Sequence, residues 1–204
     1  MPAVPLSSEA VMGHSRADKA QTHERLVEAA AARFREKGLD GISLADLMKE
    51  LGLTHGGFYK HFASRDALVA EAVEYAYQDG ERTVAKIVDD QGQFDLSRYI
   101  DFYLSDAHRG APGSGCAISA LSADISRRDE DTQARYRQQL DGIFSRIGES
   151  FPGDKAEQRK QAIALMTRMY GAVLTARGAG DSALSKEILD TVREQLHAEL
   201  SARG

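Results

Sequence analysis

The sequence has little that would cross-link or anchor a chain. Its one cysteine, Cys116, excludes an intramolecular disulfide and is typical of a reducing compartment. The first seventeen residues hold two prolines and a glycine, but no apolar stretch as long as that of a signal sequence. No run approaches the roughly 18 apolar residues that a membrane-spanning helix requires. We therefore expect a cytoplasmic protein without a membrane partner.

Proline is also scarce. The chain has four prolines, and none lies between Pro5 and Pro112. Apolar residues recur at helical spacing through these uninterrupted stretches, and 42% hydrophobic residues are enough to build a core. The pattern predicts an all-α fold of about nine helices.

Capping residues and glycines predict the first helices. The first helix should run from near Ser15 to Gly38, and the second from its cap Ser43 to Gly52. A third helix capped by Thr54 should extend through Phe62, and Ser64 should open a fourth. The predicted organisation is a flexible tail (1–15), a three-helix helix-turn-helix domain (16–63) and a larger helical domain (64–204).

The larger domain should hold five further helices. Two shorter ones are expected over about 96–107 and 116–127, separated by a glycine-rich stretch. A longer amphipathic helix should end at Gly148, and the two longest should cover about 156–177 and 182–202.

The net charge of −5 is unevenly distributed. Residues 14–66 carry 9 Lys and Arg against 8 Asp and Glu, whereas the remainder carries 17 against 23. The less acidic N-terminal part is the better candidate for a nucleic-acid surface, although a net of +1 is only weak support.

Residues 43–62 have the anatomy of a DNA-reading helix-turn-helix: a short helix, a turn at Gly52, and a second helix with a polar start. Thr54 and His55 stand at that start, before two glycines that permit close approach to DNA. Tyr59, Lys60 and His61 are suitable donors for phosphate oxygens. Phe58 and Phe62 should face inward as core.

These residues resemble the TetR family of transcriptional regulators. The resemblance extends from Thr22 to Leu68 and includes Gly52-Leu53-Thr54 and Tyr59-Lys60-His61-Phe62. The run Leu53-Thr54-His55-Gly56-Gly57-Phe58-Tyr59 looks like one subset of the family, some members of which also carry a Gly-Cys pair like Gly115-Cys116.

The resemblance implies a homodimeric, ligand-responsive repressor that binds double-stranded operator DNA. By matching positions it implies DNA contacts at Ser43, Thr54, His55, Gly56, Tyr59, Lys60 and His61. It also implies that the C-terminal helices form a cavity for a small-molecule effector and a two-fold dimer. A few kcal/mol of differential effector binding would suffice to release the operator.

Apolar and aromatic residues of the C-terminal part define a search area for that effector. They are Tyr99, Phe102, Tyr103, Cys116, Ile118, Leu121, Tyr136, Phe144, Met166, Met169 and Tyr170. Most residues of this kind are needed simply as core. The last two helices also offer apolar faces for dimerisation, namely Ile163, Met166, Tyr170, Val173 and Leu174 on one helix and Leu184, Ile188, Val192 and Leu196 on the other.

Cys116 has two interpretations. It stands where a helix should begin, so the helix dipole would favour a reactive thiolate that senses electrophiles or oxidants. Alternatively, it packs as a small buried hydrophobe. The residues leave both open.

Other function classes are less well supported. A constitutive DNA-binding or chromosome-organising protein without a ligand fits the same motif, and a cavity in the C-terminal domain would argue against it. An enzyme is not expected, because the sequence has neither a Gly-x-Ser-x-Gly elbow nor a phosphate-binding glycine loop. We expect no cofactor and no metal, since His55 and His61 do not share a helix face.

Overall fold

A computed structural model describes the backbone of residues 8–202 and the side chains of residues 17–202. The all-α prediction is confirmed for this part, which contains ten α-helices, one 3-10 turn (Pro112–Ser114) and no strand beyond an isolated Val88–Phe94 bridge. The helices are α1 Ser8–Lys37, α2 Leu44–Glu50, α3 His55–Phe58, α4 Arg65–Val84, α5 Leu96–Tyr103, α6 Asp106–Gly110, α7 Ala117–Ile125, α8 Glu130–Gly148, α9 Lys155–Gly178 and α10 Ala183–Ser201.

The predicted capping residues begin the N-terminal helices. Ser43, Thr54 and Ser64 each have an extended backbone, and each side chain accepts a hydrogen bond from the N–H three residues later. Between α2 and α3, Gly52 has a φ of 68°, a conformation that costs a residue with a Cβ. Local chemistry therefore produces the helix-turn-helix at the predicted place.

Two boundaries differ from the predictions. The first helix begins at Ser8 rather than near Ser15, so residues 8–15 are helical and not a tail; residues 1–7 lie outside the described part. The third helix ends at Phe58 rather than Phe62. The N–H groups of Lys60 and His61 bond carbonyls three residues back, a tighter turn that suits a segment weakened by two helix glycines.

One helix more than predicted is present, because a segment predicted as a single helix forms two. The expected helix over 96–107 is divided into α5 and α6, because the Ser105 side chain accepts the His108 N–H at 3.1 Å and caps a new helix. The other predicted helices are found within a few residues of their expected ends.

Two hydrophobic cores hold the molecule. The first combines α1 to α4 with α7 and includes the fully buried Leu26, Phe34 and Phe58. The second combines α5 and the end of α8 with α9 and α10. Because α4 and α7 share the first core with the helix-turn-helix, the predicted domain boundary at residue 63 does not divide the packing. The cleft between the two cores holds the cavity described below.

Candidate nucleic-acid interface and effector cavity

The helix α3 presents a polar surface on a buried aromatic base. Phe58 is fully buried and stacks on Phe62 at a ring-centroid distance of 5.4 Å, which confirms both as core. Thr54, His55, Gly56, Tyr59 and Lys60 are exposed, Tyr59 by 61%. Within the described residues, the Tyr59 and Lys60 side chains make no hydrogen bond or ion pair. These two donors are therefore free for an external partner.

Ser43 and Thr54 use their hydroxyls inside the protein. Thr54 Oγ1 accepts the Gly57 N–H at 3.2 Å, and Ser43 Oγ accepts the Asp46 N–H at 3.1 Å. The Ser43 hydroxyl also donates to the Asp46 carboxylate at 2.6 Å. A phosphate at Ser43 would therefore compete with Asp46 for that proton.

His61 is the one predicted DNA contact that is half-buried. Its ring lies 6.1 Å from the ring of His23 on α1, and its Nδ1 is buried without a hydrogen-bond partner among the described residues. Burial lowers the pKa of His61 below its ordinary value, and the nearby His23, Lys19 and Lys60 lower it further. His61 is thus less available than its neighbours, a position that the sequence did not indicate.

An aromatic-lined cavity of about 80 Å³ lies between α4, α5, α7, α8 and α9. Six of the predicted effector residues line it: Tyr99, Phe102, Tyr103, Cys116, Ile118 and Tyr170. Five others, Leu121, Tyr136, Phe144, Met166 and Met169, do not. These five pack in or against the two hydrophobic cores, as most apolar residues at helical spacing must.

Several residues of the cavity wall were not predicted from the sequence. They include Tyr77, Gly80, Val84, His108, Gln139, Gly142, Ile143 and Arg146. The two glycines lie inside helices α4 and α8, where glycine is unfavourable, and a Cβ built at either position would meet open space. Glycines in the middle of predicted helices were therefore the signal in the sequence that could have indicated the cavity.

His108 fixes the position of Cys116. Its Nδ1 lies 2.7 Å from the Tyr103 carbonyl oxygen, and its Nε2 lies 3.2 Å from the Cys116 backbone nitrogen. A carbonyl can only accept and an amide can only donate, so the imidazole is neutral with its proton on Nδ1. Burial lowers the pKa of His108, in agreement with that state.

The cavity wall is also tied to the helix-turn-helix. Arg35 on α1 is 7% exposed, and its guanidinium donates to Asp79 on α4 at 3.1 Å and to the Gly115 carbonyl at 3.4 Å. On α7, Asp124 accepts the Leu39 N–H at 3.1 Å. A Cβ at Gly115 would lie 2.9 Å from Arg177 and 3.1 Å from His108, which explains glycine there.

Only some residues of the predicted dimer faces are exposed on the surface of the chain. Met166, Val173 and Leu196 are buried inside their own chain, so their assignment to an interface was wrong. Ile163, Leu174 and Leu184 are exposed. Tyr170 lines the cavity, and Ile188 and Val192 pack against the second core. The exposed apolar residues of the predicted faces therefore lie on the outer side of α9 and at the start of α10.

Neither a metal site nor a membrane-spanning helix is found among the described residues. No group of three or more His, Cys, Asp or Glu side chains is placed to hold a metal ion. None of the helices in this part of the chain is long and apolar enough to cross a bilayer.

Comparisons with known proteins agree with this architecture. The chain is 26% identical over 103 residues to the HTH-type transcriptional repressor DhaR of Mycobacterium sp. (strain GP1), an alignment that covers 50% of this chain and about half (52%) of DhaR. It is 22% identical over 168 residues to the HTH-type transcriptional repressor NemR of Escherichia coli (strain K12), covering 76% of this chain and 84% of NemR.

Among solved structures, a TetR transcriptional regulator from Chloroflexus aurantiacus superimposes with a TM-score of 0.71 at 22% identity. The superposition covers 88% of this chain and 96% of the other, and it shows a shared fold.

These findings define the class of the N-terminal segment as a helix-turn-helix DNA-binding domain. Residues 26–72 match the family described as bacterial regulatory proteins, tetR family. This segment is therefore similar to the tetR family, as its residues predicted.

Proposed function

We propose that the chain is a homodimeric, sequence-specific transcriptional repressor that a small-molecule effector releases from its operator. The observation that carries the proposal is the exposed polar surface of α3, held on the buried Phe58 within a segment that matches a family of regulatory proteins. The cavity between the two cores supports an effector role and argues against a constitutive DNA-binding protein.

In the proposed complex, α3 enters the major groove of the operator. Thr54, His55 and Gly56 lie near base edges, whereas Ser43, Tyr59, Lys60 and His61 face phosphates. Tyr59 and Lys60 are the strongest candidates, because their donors are exposed and unpaired within the described residues. His61 would reach a phosphate only through the exposed part of its ring.

The test is DNA binding by the purified protein, using DNA from upstream of its own gene at stated salt. Tyr59→Ala and Lys60→Ala should weaken binding to all sequences, and Lys60→Ala should reduce the salt dependence by about one counterion. His55→Ala should change the sequence preference. Lys155→Ala, an exposed lysine at the far end of α9, is the matched charge control. Unchanged affinity in the Tyr59 and Lys60 variants would exclude this docking.

For the dimer, we infer an interface on the outer side of α9 and the start of α10. The apolar side chains of Leu174 and Leu184 lie on that surface, and no described residue of the chain buries them. Leu174→Glu should convert a dimer to a monomer in analytical ultracentrifugation and abolish binding to a two-half-site operator. A Leu174→Glu protein that sediments as a dimer would place the interface elsewhere.

A second candidate is a covalent sensor at Cys116. The thiol is partly exposed, lines the cavity and precedes the first turn of α7. In this mechanism the thiolate sulfur adds to the alkene of an electrophile such as N-ethylmaleimide, and the adjacent carbon takes a proton from water. DNA release by this reagent that is absent in Cys116→Ser would establish the sensor. Release that persists in Cys116→Ser would exclude it.

A further inference from the structure

Two tyrosine hydroxyls in the cavity wall are buried without a hydrogen-bond partner. Tyr77 on α4 is 5% exposed, and the hydroxyl oxygens of Tyr77 and Tyr170 have no partner among the described residues. Buried polar groups are nearly always paired, because an unpaired one keeps the cost of losing water. Both tyrosines line the cavity, so a bound molecule is the natural source of the missing partner.

The two hydroxyls share their surroundings. The Cys116 thiol and the Tyr136 phenol influence both groups, and burial together with these neighbours raises the pKa of Tyr77 and of Tyr170. The Cys116 thiol lies beside the Tyr170 hydroxyl without meeting hydrogen-bond geometry, and sulfur is in any case a weak partner. Both tyrosines therefore line the cavity within electrostatic reach of the Cys116 thiol, which lines the same wall.

Two other polar side chains of the wall, those of Tyr103 and His108, already have partners. The Tyr103 hydroxyl donates to Ser119 Oγ at 3.3 Å, and both ring nitrogens of His108 have backbone partners. The charged side chains, Glu81 and Arg146, are exposed at the rim and opposite in sign. A ligand inside would therefore meet phenols and apolar side chains rather than a charge.

We propose that the cavity binds a small uncharged carbonyl compound, whose oxygen accepts hydrogen bonds from the Tyr77 and Tyr170 hydroxyls. A carbonyl oxygen offers two lone pairs and brings no donor of its own, so it can satisfy both phenols. A carboxylate would have to shed its hydration in a site that penalises negative charge. The proposal names the ligand class of the effector site and, for its regulatory meaning, rests on the proposed function.

The cavity volume limits the ligand to a small ring or short chain. At about 80 Å³ the cavity is smaller than the roughly 150 Å³ that accommodates benzene in an engineered apolar cavity, so a ring of six heavy atoms would fill it and extend toward the exposed Glu81 and Arg146. Cyclopentanone is a suitable probe because it has six heavy atoms and one carbonyl oxygen. Methylenecyclopentane replaces that oxygen with an apolar CH₂, and cyclopentanecarboxylate adds a charge.

The experiment measures the dissociation constants of the three probes by NMR titration of the DNA-free protein. Removing both hydroxyls with Tyr77→Phe and Tyr170→Phe should lower the ketone-to-hydrocarbon affinity ratio by about tenfold or more. Tyr103→Phe, which removes a paired hydroxyl from the same wall, should leave the ratio unchanged. An unchanged ratio in the double variant, tighter binding of the carboxylate, or failure of cyclopentanone to bind would overturn the proposal.

A folding measurement provides an independent check. Because the Tyr77 and Tyr170 hydroxyls are unpaired, their removal should not lower the melting temperature, whereas Tyr103→Phe should lower it by breaking the bond to Ser119. A double variant that melts below the Tyr103→Phe protein would show that the hydroxyls have protein partners and would refute the inference.

The DNA assay separates this inference from the proposed function. If cyclopentanone binding depends on the two phenols but the chain does not bind DNA, the site stands and the regulatory role fails. If the chain binds its operator but the ketone-to-hydrocarbon affinity ratio does not depend on the two phenols, the regulatory role is supported and the ligand class is wrong.

Discussion

Phe58 and Tyr170 show how differently the two ends of the molecule use aromatic side chains. Phe58 is fully buried and stacked on Phe62, so it fixes the polar residues around it on a rigid base. Tyr170 lines an open space, and its buried hydroxyl lacks a partner within the described residues. The DNA-facing end is filled behind an exposed surface, whereas the cavity end is left incomplete inside. Substitutions should therefore destabilise the first end and stabilise the second.

The largest expected effect is at Phe58. Phe58→Ala should lower the free energy of unfolding by about 3–5 kcal/mol, because it removes a large side chain from a packed core. Denaturant titration followed by circular dichroism measures the change. The neighbouring Tyr59→Ala removes an exposed ring and should change stability by less than about 0.5 kcal/mol while weakening DNA binding. Equal losses from the two variants would contradict the rigid-base interpretation.

A smaller loss is expected where the two ends meet. Arg35→Met should cost about 1–3 kcal/mol, because it leaves Asp79 and the Gly115 carbonyl without their buried donor. This guanidinium joins α1 to Gly115 in the cavity wall. The variant should therefore bind the operator but respond less to an effector.

The measurement is operator affinity with and without the effector probe. Arg33→Met removes a neighbouring arginine on α1 that is paired with Glu36 and Glu50 away from the cavity, and it is the control. A normal effector response in Arg35→Met would show that the ends communicate by another route.

The same contrast explains what the sequence could predict. Ser43, Thr54 and Gly52 act within three residues of themselves, so the helix-turn-helix followed from local patterns. The half-burial of His61 depends on His23, which lies on another helix, and no local pattern reveals it.

The cavity wall was predicted only in part for the same reason. Tyr103 and Met169 have similar sequence signals and are both buried in the second core, yet only Tyr103 lines the cavity. Which of them faces the open space is decided by how α5 and α9 cross, and by Gly80 and Gly142 leaving a gap.

At the cavity end, filling space should stabilise. Gly142→Ala should raise the free energy of unfolding by about 0.5–1 kcal/mol, because alanine favours the helix and the new methyl meets no atom within 4 Å. It should also weaken cyclopentanone binding in the NMR titration by occupying cavity space. Gly171→Ala on α9 also points into open space but does not line the cavity, so it should leave ligand affinity unchanged. A destabilised Gly142→Ala protein would mean that the wall is already closed.

The smallest expected effect is a pH dependence that both ends share. Burial lowers the pKa of His61 and of His108 below the ordinary value of 6.5. Below about pH 6.5 the unfolded chain binds more protons than the folded one. The free energy of unfolding is therefore highest above pH 6.5 with respect to these two histidines, and it falls as the pH drops toward their folded-state pKa values. Protonation of His108 would also remove the acceptor of the Cys116 N–H.

Unfolding measured at pH 7.5 and pH 5.5 separates the two histidines. His108→Asn should reduce the loss of stability at low pH more than His61→Asn does, because His108 is only 6% exposed and His61 is half-buried. If His61→Asn has the larger effect, burial lowers the pKa of the histidine at the DNA-facing end more than that of the histidine at the cavity end. The contrast between the two ends would then not hold for His61.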